Sequence, residues 1–136
     1  MSKRISCLII DDEPLASNVL KEYVNQVPQL DLVGTSSSAM EAFSVINEQR
    51  VDLVLLDIEM PNMNGIEFIK SLSDPPAVII TTAYREYAFD SYEIEVVDYL
   101  LKPISFSRFF KAITKFLKHS ESSLISPEDP PRFVVL

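Results

Sequence analysis

Apolar runs of strand length alternate along this chain with stretches whose apolar residues recur at helical spacing. The run Ile5-Ser6-Cys7-Leu8-Ile9-Ile10 predicts a first strand. A helix follows, with Pro14 in the first turn, where a missing N–H costs nothing, and one apolar face of Leu15, Val19, Leu20, Tyr23, Val24 and Val27. Leu30-Asp31-Leu32-Val33-Gly34 is a short second strand. Ser38 with Glu41 three residues on makes a capping box for a second helix, its inner face Ala39, Ala42, Phe43 and Ile46.

The third strand is the run from Val51 to Asp57. Asn64-Gly65 opens a third helix, with Ile66, Ile69 and Leu72 inward, and Pro75-Pro76 stops it. Ala77 to Thr81 is a fourth strand, and a short fourth helix is expected over about residues 85–92. Val96 to Leu101 is a fifth strand. A final helix starts near Ser105, with Phe106, Phe109, Phe110, Ile113 and Leu117 on one side. Five βα units whose strands lack clean polar alternation predict a doubly wound parallel sheet with helices on both faces.

Beyond His119 the pattern gives way to Ser120-Glu121-Ser122-Ser123 and Ser126-Pro127-Glu128-Asp129-Pro130-Pro131, a linker composition. Arg132-Phe133-Val134-Val135-Leu136 then reads as the start of another strand. The expected organisation is a domain over residues 1–119, with 120–136 a linker and the beginning of a further domain.

Composition narrows the function classes. Net charge is −8, which repels nucleic-acid phosphates, so this stretch is not expected to bind DNA by itself. No run reaches the roughly 20 apolar residues of a membrane helix, and the N-terminus has no secretory pattern. The single cysteine, Cys7, excludes an internal disulfide and fits a cytoplasmic location; mid-strand, it reads as a core side chain.

The strand ends carry the chemistry. Asp11-Asp12 follows the first, Asp57 ends the third, Thr81-Thr82 ends the fourth and Lys102-Pro103 follows the fifth. Ligands of open α/β sheets bind at these carboxyl ends. One aspartate could simply cap the first helix. Two adjacent acids aimed toward a third ask for more, since two carboxylates about 4 Å apart repel by roughly 4 kcal/mol at an effective dielectric near 20. A divalent cation relieves that repulsion, and an all-oxygen site suits magnesium. Asp57 is then placed to act as a nucleophile toward phosphorus, with Lys102 offsetting phosphoryl charge and Thr82 donating its hydroxyl.

These residues resemble the receiver domain of bacterial two-component response regulators. Asp11-Asp12, Leu56-Asp57, Met60-Pro61-Asn62-Met63-Asn64-Gly65, Thr82-Ala83 and Lys102-Pro103 match in order and spacing over residues 4 to 119. The resemblance implies strand order 2-1-3-4-5, Asp57 as phosphoacceptor, Asp12 as direct magnesium ligand with Asp11 acting through water, and the backbone carbonyl of Glu59 as third protein ligand. It also implies Thr82 as switch hydroxyl, Tyr99 as switch aromatic and a cis Lys102-Pro103 bond. Its implied partners are a sensor histidine kinase, for which Leu15, Ala16, Pro103 and Ile104 could form an apolar footing, and a second receiver. The second copy would meet the face made by the fourth helix, fifth strand and fifth helix. Thr81-Thr82-Ala83-Tyr84, Glu86-Tyr87-Ala88 and Val97-Asp98-Tyr99-Leu100-Leu101-Lys102-Pro103-Ile104 are similar to regulators carrying a LytTR-type DNA-binding domain, so DNA contact would belong to that further domain.

Glu59 departs from the amides many receivers carry there, and with Tyr84 it is expected to tune access of the hydrolytic water. His119 is a poor candidate for phosphotransfer or metal binding. A magnesium-dependent phosphohydrolase of the haloacid dehalogenase type is the main competing reading, since it too forms an aspartyl phosphate. Its nucleophile follows the first strand, however, and it needs a cap domain. A receiver would be no turnover enzyme, only phosphorylating and dephosphorylating itself. A degenerate receiver would lack an acid or the lysine, and a flavodoxin-like carrier would need donors where Asp11 and Asp12 stand.

Overall fold

The computed structural model describes residues 4–60, 65–84 and 95–123, with side chains as far as Lys118. In chain order these form β1 (Ile5–Ile10), α1 (Pro14–Gln26), β2 (Leu30–Ser36), α2 (Ala39–Glu48), β3 (Leu53–Asp57), α3 (Gly65–Lys70), β4 (Ala77–Thr82), β5 (Val96–Leu101) and α4 (Phe106–Ser123). The five strands make one parallel sheet in the order β2-β1-β3-β4-β5, which is the doubly wound arrangement and the order expected. The short helix expected over residues 85–92, the turn residues 61–64 and the chain beyond 123 lie outside the described residues.

Alternate residues of each central strand feed two cores. Cys7, Ile9, Leu53, Leu55, Ile79 and Leu100 meet Leu20 and Val24 of α1 and Phe109, Ala112, Ile113 and Phe116 of α4. Leu8, Ile10, Val54, Leu56, Val78 and Ile80 meet Ala42 of α2 and Phe68 and Ile69 of α3. Every residue of β3 is buried, which is why that strand reads as an unbroken apolar run until Asp57. Burial of a side chain such as Phe109, with no exposed surface, stabilises the fold by about 2 kcal/mol. Cys7 lies in the same core, where burial pushes its thiol up to about 12, so it is an inert packing group. No helix among the described residues is long and apolar enough to cross a membrane.

Local sequence accounts for the element ends. Pro14 occupies the first turn of α1. The Ser38 hydroxyl accepts the Glu41 N–H at 3.2 Å, while the Glu41 carboxylate reaches back to the N–H of Ser37 at 3.0 Å, one residue earlier than in the usual box. Gly65 permits a close approach: a Cβ there would lie 3.1 Å from the Asp57 carbonyl oxygen, Ile58 Cα and Leu56 Cγ.

Several boundaries and faces differ from the expectation. β2 runs on to Ser36 and β4 to Thr82, and α4 continues through Ser123 across the first residues of the expected linker. Leu15 and Val19 are 76% and 42% exposed, and Phe43 and Phe110 are each 48% exposed, although all four fall on apolar stripes. Each helix rests on the sheet along a narrower line than its stripe, and Leu15 sits in a first turn beyond the end of β1. Conversely Phe68, absent from the expected α3 face, is buried.

Candidate functional site

Four strands deliver polar groups to one edge. Asp57 and Thr82 are the last residues of β3 and β4, and Asp11 follows β1 directly; all three are buried. Lys102 follows β5, its N–H donating to the Thr82 carbonyl at 2.7 Å. That bond continues the β4–β5 ladder and aims the lysine across the edge. The Lys102-Pro103 peptide is cis. On the far side of that bond the Tyr23 hydroxyl donates to the Ile104 carbonyl at 2.8 Å, tying the loop after β5 to α1.

Lys102 is the hub. Its Nζ lies 3.0 Å from Asp11 Oδ2, 3.3 Å from Asp57 Oδ2 and 3.4 Å from Glu13 Oε1. The Asp11 approach is close in distance but poorly directed, and Oδ2 has no aligned hydrogen-bond donor. Burial opposes the charge on Lys102, yet the close Asp11 carboxylate and the charge of Asp57 outweigh it and raise its pKa. Asp11 goes the other way. Burial lifts its carboxyl to about 6, the repulsion of Asp57 adds to the lift, and the Glu13 N–H and Lys102 offset only part of it.

Asp11, Asp12 and Asp57 each offer an oxygen, and these oxygens lie within 4.8 Å of one another. Asp12 is exposed while its two neighbours are buried, leaving one side open to water. A shared set of hard oxygens, one of them lacking an aligned donor, fits a divalent cation that keeps some of its waters. The residues that could hold it are therefore Asp11, Asp12 and Asp57.

Glu59 touches both sides of the site. Its N–H donates to Asp57 Oδ1 at 2.9 Å, and its Oε2 accepts the Thr82 hydroxyl at 2.9 Å. Thr82 Oγ1 in turn accepts the Tyr84 N–H at 3.0 Å. Tyr99 is half-buried on β5 against the α2–α3 core. Of the expected site residues, Asp11, Asp57 and Lys102 are in direct contact, Asp12 adjoins them, Thr82 is linked through Glu59, and Tyr99 lies on β5, the strand next to that of Thr82. Sequence reasoning missed two contacts: Glu13 on Lys102, and the Glu59 side chain on Thr82. The acidic run Asp11-Asp12-Glu13 was the only signal for the first.

The sequence profile of the response regulator receiver domain matches residues 7–114. The chain belongs to the response regulator receiver family. Among the relatives of this receiver are an uncharacterized response regulatory protein of Vibrio cholerae, 38% identical over 130 residues, covering 93% of this chain and 54% of that protein. The transcriptional regulatory protein BtsR of Escherichia coli is 35% identical over 125 residues, covering 90% and 52%, and the sensory transduction protein LytT of Bacillus cereus is 31% identical over 123, covering 88% and 50%. The last two agree with the LytTR-type resemblance of residues 81–104. This receiver thus spans about half the length of the curated relatives it matches. The crystal structure of the response regulatory domain of mrkE from Klebsiella pneumoniae superposes with a TM-score of 0.77 at 28% identity, over 86% of this chain and 98% of that one.

Proposed function

We propose that this receiver accepts a phosphoryl group on Asp57 from the phosphohistidine of a sensor histidine kinase, in a magnesium-dependent step. What carries the reading is Lys102: one ammonium set between Asp11 and Asp57, with the acceptor carboxylate fixed from behind by the Glu59 N–H. An Asp57 oxygen attacks phosphorus, the P–N bond breaks, and the electron pair leaves with the imidazole. Lys102 and the Thr82 hydroxyl then face the charge on the transferred group. Asp11, Asp12, Asp57 and the Glu59 carbonyl would hold Mg2+, which supplies charge neutralisation for the phosphoryl oxygens. No turnover of a separate substrate is involved, only gain and later hydrolysis of the acyl phosphate.

The readout follows from Thr82 and Tyr99. A hydroxyl drawn toward the phosphoryl group leaves space into which the half-buried Tyr99 ring can turn, reshaping the surface around β5 and α4. That surface would pair two receivers. The relatives' names LytT and transcriptional regulatory protein BtsR support an output through a LytTR-type transcription domain beyond residue 119; the receiver would act in the cytoplasm, with DNA contacted by that further domain alone. Leu15, at 76% exposure, and Pro103 remain the proposed apolar footing for the kinase.

Intact mass after incubation with acetyl phosphate tests the proposal. One phosphoryl adduct is expected on the wild type with Mg2+, and none on Asp57→Asn or after chelation. An adduct on Asp57→Asn overturns the assignment of the acceptor.

A further inference from the structure

The Thr82 hydroxyl has one proton to give, and Glu59 already holds it. The Thr82 Oγ1 to Glu59 Oε2 bond is 2.9 Å, while the alternative acceptor, the Tyr84 carbonyl, is 3.5 Å away. The Tyr84 N–H, donating to the same oxygen at 3.0 Å, fixes the hydroxyl from its other side. Thr82 is buried, so water is a poor substitute partner for either contact. Donation to a phosphoryl oxygen on Asp57 therefore requires that the bond to Glu59 first break.

We propose that the Glu59 carboxylate is a positioning residue that competes with the phosphoryl group for the Thr82 hydroxyl and so holds the receiver in its resting state. The inference rests on the phosphoacceptor reading of Asp57 and extends it to what sets the resting state. Glu59 is suited to the part because its backbone and side chain serve opposite partners. The N–H holds Asp57 in place, and the carboxylate holds Thr82 away. A phosphoryl group on Asp57 brings negative charge beside that carboxylate, weakening its hold just as a stronger acceptor for the proton arrives. A residue at this position without an acceptor in reach of Thr82 would release the hydroxyl from this bond before phosphorylation and raise the population of the switched form.

The test is a thermodynamic cycle read with beryllofluoride, which forms a phosphoryl-like adduct on carboxylates without chemical turnover. Its affinity at saturating Mg2+ is measured by calorimetry for wild type, Glu59→Ala and Glu59→Gln, each with Thr82 intact and with Thr82→Ala. Glu59→Ala is expected to tighten binding on the order of tenfold, the scale of one hydrogen bond to a charged group. In the Thr82→Ala background most of that gain should vanish, because the coupled partner is gone. Glu59→Gln, which keeps an acceptor oxygen, should gain less than Glu59→Ala. Equal gains in both backgrounds, or equal gains for Gln and Ala, would mean that only charge was removed and would overturn the competition. Unchanged or weaker binding by Glu59→Ala would overturn it too. A wild type that takes up no beryllofluoride overturns the acceptor reading itself, and this inference with it.

Discussion

Asp11 and Asp98 are both buried acids at strand ends or edges, each beside basic side chains, and they fare oppositely. Asp98 on β5 has more partners than it needs. Arg108 of α4 grips it with two bonds of 3.0 and 2.9 Å, the Tyr99 N–H donates at 2.8 Å, and Lys115 stands 3.5 Å away. Burial by itself would raise the pKa of Asp98, but the Arg108 and Tyr99 bonds and both cations outweigh it and lower it. Asp11 shares one lysine with Asp57 and Glu13, and its carboxyl is pushed up to about 6. The Asp98 cluster is complete as it stands and belongs to stability. The Asp11 cluster is short of positive charge, which is the state expected of a site that awaits a cation and an anionic group.

The largest effect should come from dismantling the complete cluster. Arg108→Ala leaves Asp98 buried with its main partner gone, at a cost of about 2–3 kcal/mol, discounted because the arginine is partly exposed. Urea unfolding should show the loss with phosphorylation chemistry retained; a loss under 0.5 kcal/mol (an order-of-magnitude threshold) would make the two clusters alike.

A smaller effect of opposite sign is expected at the short-handed cluster. The folded pKa of Asp11 lies above its unfolded value of about 4, so the folded state binds the extra proton between about pH 4 and 6 and stability falls as pH rises through that window. At neutral pH, without metal, Asp11→Asn should therefore stabilise the domain by about 1–2 kcal/mol. Adding Mg2+ should close the gap, since it stabilises the wild type by mass action and the variant far less. A variant that is less stable without metal would show the cluster to be balanced after all.

The smallest effect is in the pH dependence of Asp98. Its folded pKa is lowered, so its contribution is complete above the unfolded value near about 4 and is lost as pH falls through the folded value. Asp98→Asn should remove part of the acid-side slope of stability below about pH 4 and leave the slope between 4 and 6 unchanged. The reverse outcome would exchange the roles of the two acids.

Much of this was legible in the chain. Strands such as Leu53–Asp57, buried on both faces, announce themselves as unbroken apolar runs, and a polar residue ending such a run marks the sheet edge. Asp11, Asp57, Thr82 and Lys102 could therefore be placed together before their separation was known. The contacts that tune them could not. Glu59 meets Thr82 because β3 and β4 are neighbours in the sheet, Lys102 meets Glu13 only by reaching across the carboxyl edge from β5 to the loop after β1, and Asp98 looks like an ordinary polar position until α4 folds back onto it. Helical period likewise told which stripe was apolar but not how wide a strip the sheet would cover, so Leu15, Val19, Phe43 and Phe110 were assigned inward and lie at the margin.

Gly65 bears on which way the domain can yield. Its backbone is pressed so close to the tip of β3 that even a methyl group would meet Asp57, Ile58 and Leu56 at 3.1 Å. The tip of β3 thus has backbone seated closely behind it on the α3 side, with room there for a glycine and little more. Under the proposed phosphorylation, a displacement begun at Asp57 would therefore be expected to pass sideways toward β4 and β5 rather than into α3.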